Sequence, residues 1–354
     1  MNVELEEIWQ DYGLDVLQEN IDRLFPEYNL SLGEILDKLI RGELLETIKY
    51  VFDGTIGVLL QQVSGFRDIL LLLLLLGIAS SVLTHFVEIF DRHQIADMGY
   101  YFMYLLFMMI LFRVFEQSAQ VAGEALEAIV LFIRLMVPTY LLTVGVAAGV
   151  TAAGAYSGVF AFVVYGTEYF LSGWMFDVIR VYVLLSMVNG IWTEGKLKML
   201  ADLIHKVIVT ALKGALGIVT GISVFQSLIS PVISSAQNTM LHKIVNSIPG
   251  IGDISGGVMQ LVLGSALIIK NSVGILLLLL MLILCMAPLL KIFFIAWVLR
   301  LAAALMGMVS DKRLVQCTHN MGEGCMLMFR LVGTAMLLFV ILISIIAMST
   351  NQVL

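Results

Sequence analysis

The residues with the greatest chemical potential are charged side chains that lie within or beside long apolar stretches. An isolated charge in hydrocarbon costs at least about 3 kcal/mol, so these side chains should pair, reach the membrane surface or line a cavity. Asp177 and Arg180 are three positions apart, a spacing that brings two side chains together on one helix. We predict a structural Asp177–Arg180 pair, with a proton or ion path through Glu168 and Asp177 as the alternative. The full set is Glu168, Asp177, Arg180, Lys213, Lys270, Lys291 and Arg300.

Cysteine and histidine form no pattern typical of catalysis or metal binding. Cys317, His319 and Cys325 are near one another, but a fourth ligand and a Cys-x-x-Cys pair are missing. Unlinked thiols are the simpler interpretation, and a Cys317–Cys325 disulfide is the alternative if their loop faces an oxidising space. No Ser, Cys or carboxylate partner for a histidine can be assembled from the sequence, so we predict no enzyme, no cofactor and no metal. The histidines are His85, His93, His205, His242 and His319.

A glycine-rich segment from Ile248 to Gly257 is the least ordinary part of the chain. It is not a phosphate-binding loop, because no Gly-Lys-Ser/Thr follows it and no strand precedes it. We predict that this segment, together with the Lys-Asn pair in the apolar stretch that follows, forms a functional gate or turn. The alternative is a purely structural role, as a tight membrane-buried turn with one anchoring lysine. The candidate residues are Pro249, Gly250, Gly252, Asp253, Lys270 and Asn271.

Pairs of glycines spaced four apart occur three times in apolar sequence. Small residues at this spacing let the backbones of two helices approach closely. We predict that these glycines mediate helix packing, and the sequence leaves open whether the neighbouring helix belongs to the same chain or to another protomer. The pairs are Gly145 with Gly149, Gly154 with Gly158, and Gly217 with Gly221.

The elements that carry these residues must be membrane helices. Hydrophobic residues make up 60% of the 354 positions and charged residues 13%, against about a quarter charged in soluble domains. Five stretches without Asp, Glu, Lys or Arg approach or exceed the roughly 18 to 20 residues that cross about 30 Å of hydrocarbon, and they are far longer than barrel strands. The fold class is therefore an all-α transmembrane bundle. The five stretches are 69–87, 135–167, 214–241, 271–290 and 331–354.

Hydropathy predicts about seven or eight spans, and their flanking charges predict the topology. The connection with Lys196, Lys198 and Lys206 is the most basic one, so the positive-inside rule places it in the cytoplasm. Counting back puts the N-terminal segment on the extracytoplasmic side of a multi-pass membrane protein. The eight predicted spans are 69–88, 98–115, 129–149, 155–174, 176–193, 207–228, 273–298 and 328–349.

The first 66 residues form a separate acidic segment, with 13 acidic and 4 basic side chains against 14 and 16 in the remainder. Ser31 and Glu34 have the spacing of a capping box at the start of an amphipathic helix. Such a charge balance excludes nucleic acid as a partner, because phosphates require a clustered basic surface. We therefore divide the chain into an extracytoplasmic helical segment, 1–66, and a transmembrane domain, 67–354.

Residues 229–272 do not form a simple span, because prolines and glycines interrupt them while their flanks stay apolar. A re-entrant or membrane-lying segment is the physical interpretation, since broken backbone at membrane depth requires protein or a water-filled cavity around it. The alternative function is a self-contained secondary transporter of a small solute. Such transporters commonly have broken helices at corresponding positions in both halves of the chain, but the sequence shows no corresponding break near 60–120.

The segment Lys243 to Asp253, KIVNSIPGIGD, together with Gly264 to Gly274, GSALIIKNSVG, resembles the stage III sporulation protein AE family of endospore-forming bacteria. The resemblance covers nearly the whole chain. It implies an integral membrane component of the channel or export complex that links mother cell and forespore. Its implied partners are membrane lipid, other stage III proteins of the same operon, a forespore membrane protein and further copies of itself.

Overall fold

The computed structural model describes residues 67–82, 93–148, 150–190, 197–245 and 252–349, with scattered residues between 18 and 57, and it describes no side chains from 222 to 273. Throughout this part the chain is helical and contains no strand, which confirms the predicted all-α membrane bundle. The helices are α1 (67–82), α2 (His93–Ala148), α3 (Val150–Gly166), a π-helical segment (Thr167–Met175), α4 (Phe176–Asn189), α5 (Lys198–Val245), α6 (Gly252–Met306) and α7 (Lys312–Ser349).

Five helical runs in the described part are long and apolar enough to cross a membrane: Tyr101–Leu142, Phe160–Asn189, Lys198–Gly221, Leu277–Met306 and Lys312–Ser344. Two pairs of predicted spans are joined into continuous helix. The described residues of the predicted spans 98–115 and 129–149 lie in α2, and those of 155–174 and 176–193 lie in the run from α3 to Gly190. The predicted interruption between the spans 98–115 and 129–149 was wrong, because its Gln, Ala and Glu residues favour helix and nothing there ends α2.

The helices are longer than a single membrane crossing requires. α2 has 56 residues and α6 has 55, which at 1.5 Å per residue gives lengths of roughly 80 Å each. The hydrocarbon layer is about 30 Å thick and the whole bilayer about 40 to 45 Å. The bundle therefore extends well beyond the hydrocarbon layer even if its helices are tilted.

Helix α7 forms the centre of the bundle and packs against α2, α4, α5 and α6. It runs antiparallel to α6, since the Phe293 ring of α6 lies 5.8 Å from the Phe329 ring of α7, whereas Arg300 contacts Glu323. Antiparallel pairing also holds for α2 and the α3–α4 run, where Tyr104 near the start of α2 donates a hydrogen bond to the carbonyl of Met187 near the end of α4, at 2.7 Å.

Two glycines allow these helices to approach closely. A Cβ on Gly324 of α7 would lie 2.3 Å from Cγ2 of Val183 in α4, with the Phe115 ring of α2 beside it at 3.5 Å. At the end of α4, a Cβ on Gly190 would lie 2.0 Å from the Tyr104 hydroxyl oxygen. Neither glycine belongs to the predicted packing pairs, because nothing in their local sequence distinguishes them.

The predicted break at 229–272 is narrower than expected. Residues 229–245 continue α5 and residues 252–272 begin α6, so any interruption is confined to 246–251, which lie outside the described residues. Whether this part re-enters the membrane stays a prediction. In the N-terminal segment, the Glu34 amide donates to Ser31 Oγ at 3.3 Å, which confirms the capping interaction; the domain boundary near residue 66 stays a prediction.

Candidate functional site

The outward side of α2 is polar along its middle third. The polar residues there are exposed or half-exposed and recur at a spacing that keeps them on one side of the helix. Phe115, Ala122 and Leu126, on the opposite side, are buried. The 21 steps from first to last residue cover about 32 Å, with apolar sequence before and after. We call this the polar face; its residues are Arg113, Glu116, Gln117, Gln120, Glu124, Glu127 and Arg134.

An ion pair joins the polar face to α4. Arg180 donates from Nη2 to Glu116 Oε1 at 2.8 Å, with side-chain exposures of 40% and 47%. The Arg180 guanidinium also lies over the Phe176 ring, 4.7 Å from its centroid. The predicted pairing of Arg180 with Asp177 was therefore wrong, because the neighbouring helix presents a carboxylate on the side to which Arg180 extends. Asp177 is exposed on α4.

A second ion pair, Arg134 with Glu168, joins the polar face to the π-helical segment. It borders an open cleft of about 390 Å³, in which Glu127 and Ser172 contribute further polar groups. Pi-helical turns are rare and often occur at functional sites. Glu168 was singled out from the sequence as part of a proton or ion path with Asp177, and the structure instead gives it an arginine partner. The cleft is lined by Gly123, Leu126, Glu127, Val130, Leu131, Arg134, Glu168, Ser172 and Phe176.

The exposed side of α6 carries an aromatic face. Phe293, Phe294 and Trp297 are exposed there at 36%, 39% and 54% of their surface. Aromatic and aliphatic side chains of this kind are suited to lipid contact, and Trp is favoured near the membrane interface. The two outer sides of the bundle therefore differ sharply in polarity.

A polar network joins four helices close to the Glu116–Arg180 pair. Arg300 of α6 donates to Glu323 of α7 at 2.6 Å, and His205 Nε2 of α5 lies 3.9 Å from the other Glu323 oxygen. The Tyr182 ring of α4 is 5.5 Å from the imidazole. Gly322 makes room for Arg300, since a Cβ there would lie 3.0 Å from Arg300 Cγ. The sequence identified Arg300 as needing a partner but not Glu323, because the two residues are 23 positions apart.

The outward side of α5 carries a basic face, which we define as Lys206, Thr210, Lys213, Gly217 and Gly221. All five are exposed. A Cβ on Gly217 or Gly221 would meet nothing within 4 Å. These two glycines therefore do not pack against another helix in the described part of this chain.

The remaining predicted packing glycines have different outcomes. Gly154 and Gly158 of α3 also face open space, with nothing within 4 Å of a Cβ. Gly145 is half-buried near the end of α2, and Gly149 lies outside the described residues. Among the described residues, none packs against Gly154, Gly158, Gly217 or Gly221. Their role in packing, within the chain or with another protomer, stays a prediction.

The structure describes the predicted gate residues only in part. Pro249 and Gly250 are not among the described residues. Gly252 and Asp253 begin α6, and Lys270 and Asn271 continue it, but their side chains are not described. Their roles stay predictions.

The thiols are free, as the simpler interpretation expected. Cys285, Cys317 and Cys325 are all buried and unlinked, so the alternative Cys317–Cys325 disulfide is not formed. The predicted loop around Cys317 and Cys325 is helix α7, because Leu314, Cys317, Met321 and Cys325 recur at helical spacing and are buried. Packing of that side stabilises the helix even though several of its residues are poor helix formers. Among the described residues, no group of His, Cys, Asp and Glu is arranged to hold a metal ion.

Comparisons with known proteins agree on one family. The family model described as "Stage III sporulation protein AE (spore_III_AE)" matches residues 30–350. A curated relative, "Stage III sporulation protein AE" of Bacillus subtilis (strain 168), is 21% identical over 343 residues, covering 94% of this chain and 86% of the relative. No solved structure matches the chain.

Proposed function

The chain belongs to the stage III sporulation protein AE family, which gives it a role in sporulation, and we propose that it serves there as an integral membrane subunit of the complex linking mother cell and forespore. Its partners in this proposal are other stage III proteins of the same operon and a protein of the forespore membrane. The location is the mother-cell membrane around the forespore, and the function is export or channel formation that sustains late forespore development.

The polar face of α2 is the observation that carries this proposal. Its charged residues extend over about 32 Å, a length similar to the thickness of the hydrocarbon layer. Each charged side chain facing lipid costs several kcal/mol at the membrane centre, and arginine pairing relieves only part of that cost. A face of this kind requires water or another protein beside it, which favours a subunit of an assembly over a monomer surrounded by lipid.

The helix order supports an extracytoplasmic N-terminal segment. Lys198 and Lys206 lie at the start of α5, and the positive-inside rule puts that end in the cytoplasm. The proposal takes α1 as a further crossing in addition to the five runs listed above, so three crossings, α1, α2 and the α3–α4 run, precede the lysines. The N-terminal segment and the α5–α6 connection then both face the space between the two membranes, where a forespore partner is available.

Isolation from sporulating cells tests the proposal. Purification in mild detergent is expected to recover several distinct stage III membrane proteins with this chain. Because the polar face needs a protein neighbour, Glu124→Lys combined with Glu127→Lys should reduce recovery of whichever protein covers that face, another stage III protein or a second copy of this chain, by about tenfold or more, since opposed like charges cost several kcal/mol. Asp68→Lys, a charge reversal at an exposed residue of a different helix, α1, is the control and should leave recovery unchanged.

The alternative, a self-contained secondary transporter, rests on the cleft beside Arg134 and Glu168. Transporters bind their substrates near discontinuous or irregular helices, and the π-helical segment is such an irregularity. A strictly monomeric particle that takes up a solute saturably in liposomes, and loses uptake with Glu168→Gln, would replace the complex subunit with this function. Recovery of stage III partners without any uptake retains the subunit.

A further inference from the structure

We propose that copies of this chain associate head to tail, with the polar face of α2 on one copy against the basic face of α5 on the next. The proposal deepens the proposed function and rests on its membrane-subunit role, because it identifies the surface through which the subunit assembles with itself. The occupant of the polar face is thus a second copy, whose basic face is complementary in charge, in shape and in height along the bundle.

The polar face and the adjoining side of α4 carry an excess of negative charge. Together with Glu168, Asp177 and Arg180 of the adjoining run, the face has five carboxylates against three arginines, a balance of −2. Two of the carboxylates, Glu116 and Glu168, already have arginine partners. The net negative charge belongs to the region as a whole, which also includes Glu124, Glu127 and Asp177.

The basic face carries the complementary charge. Along the first half of α5, the exposed residues Lys198, Lys206 and Lys213 oppose one exposed acid, Asp202, a balance of +2. Attraction between oppositely charged faces orients an encounter and fixes the register between two surfaces. The net charges of the two regions are therefore equal in magnitude and opposite in sign.

The shape of the basic face allows another helix to approach. Gly217 and Gly221 follow Lys213 at four-residue steps on the same side of α5, and no described atom lies within 4 Å of a Cβ on either. Small residues at this spacing permit close backbone contact between membrane helices. A neighbouring α2 then has room for its larger Gln and Glu side chains.

The two faces also lie at the same height. His205 approaches Glu323 of α7, and the next residue of α7, Gly324, meets Phe115 of α2. Lys206 therefore lies at about the height of Glu116. Both α2 and α5 run in the same direction from this level. Lys213 lies about 10 Å beyond Lys206 along α5, and Glu124 lies about 12 Å beyond Glu116 along α2, so these two residues are also at similar heights.

The geometry requires a head-to-tail contact. Two acidic faces repel each other, as do two basic faces, so a symmetric dimer through either face is disfavoured. Contacts between two different faces repeat from copy to copy and form a ring or an open filament. The aromatic face of α6 carries neither charge pattern and stays available to lipid.

Cysteine cross-linking in sporulating cells tests this arrangement. Gln120 and Thr210 are exposed at matching heights on the two faces, and the native cysteines are buried. A chain with both Gln120→Cys and Thr210→Cys should form a ladder of linked multimers under mild oxidation. Each single variant alone should give no dimer, but two differently tagged single variants expressed together should give one. Moving one cysteine to the aromatic face, with Trp297→Cys and Thr210→Cys, is the control and should remain monomeric.

Charge exchange provides the second measurement. Glu124→Lys with Glu127→Lys should lower the linked product to about a tenth or less, and Lys206→Glu with Lys213→Glu should do the same. Carrying all four changes in one chain restores opposite charges on facing surfaces and should restore the product. Two results would contradict the head-to-tail contact: linked dimers from a single-cysteine variant, or an amount of linked product that charge reversal does not change. If the chain with Gln120→Cys and Thr210→Cys gives no linked product but still recovers other stage III proteins, this inference is rejected and the proposed function stays intact.

Discussion

The polar face of α2 and the aromatic face of α6 lie at the same level of one bundle but suit different surroundings. Phe293 contacts Phe329 of α7, about one and a half turns beyond Gly324, which meets Phe115 of α2. Phe293 is thus beside the middle of the polar face in height. Lipid favours the aromatic face and disfavours the polar one, so the bundle cannot be surrounded evenly by acyl chains.

This difference indicates that the chain is built to have one side covered by something other than lipid. The two ion pairs with Arg180 and Arg134 hold the polar face against α4 and the π-helical segment. The central helix α7 holds both faces in a fixed relation, because α2 and α6 each pack against it. Three predictions test the difference between the faces, beginning with the largest expected effect.

Gly324→Leu should disrupt the relation between the faces altogether. Even a Cβ at this position would lie 2.3 Å from Val183, and overpacking a membrane core in this way costs about 1 to 3 kcal/mol or more. We expect little accumulated protein and a lower unfolding temperature in detergent. Gly333→Leu on the same helix is the control, since nothing lies within 4 Å of its Cβ; equal stability of the two variants would contradict the close packing.

Trp297→Asp and Gln117→Asp compare the two faces directly with the same new charge. On the aromatic face, the carboxylate would meet lipid and should cost about 2.5 to 3.5 kcal/mol. On the polar face, the same carboxylate joins other exposed polar groups and should change stability little. The measurement is thermal unfolding in nanodiscs, and equal losses for both variants would show that lipid covers the two faces alike.

Replacing Glu116 and Arg180 by glutamine, singly and together, gives the smallest expected effect. Because both side chains are nearly half exposed, their coupling energy should be about 0.2 to 1 kcal/mol in a double-mutant cycle. Asp177→Asn in place of Glu116→Gln is the control, and its coupling to Arg180 should be close to zero. A larger coupling for Asp177 would restore the pairing that the sequence spacing predicts.

Long uncharged stretches determined the class of this protein from its sequence alone. The 33 residues from 135 to 167 without a charge have no place in a soluble core, so helices in lipid follow from composition. The Ser31–Glu34 cap was also predictable, because its hydrogen bond joins residues three apart. Family membership could be inferred from the short segment around Pro249, even though the side chains there lie outside the described residues.

Tertiary structure decided which charged side chains pair and where the helices continue without a break. Arg180 had Asp177 within reach along its own helix, yet Glu116 on α2 is its partner because the antiparallel packing of α2 and α4 brings them together. The polar middle of α2 resembled a connection in hydropathy, yet it is helical because polar residues do not end a helix when one of its sides is buried. Sequence spacing reports what lies along a helix, whereas the contacts of Glu323, Gly324 and the polar face depend on which helices are neighbours.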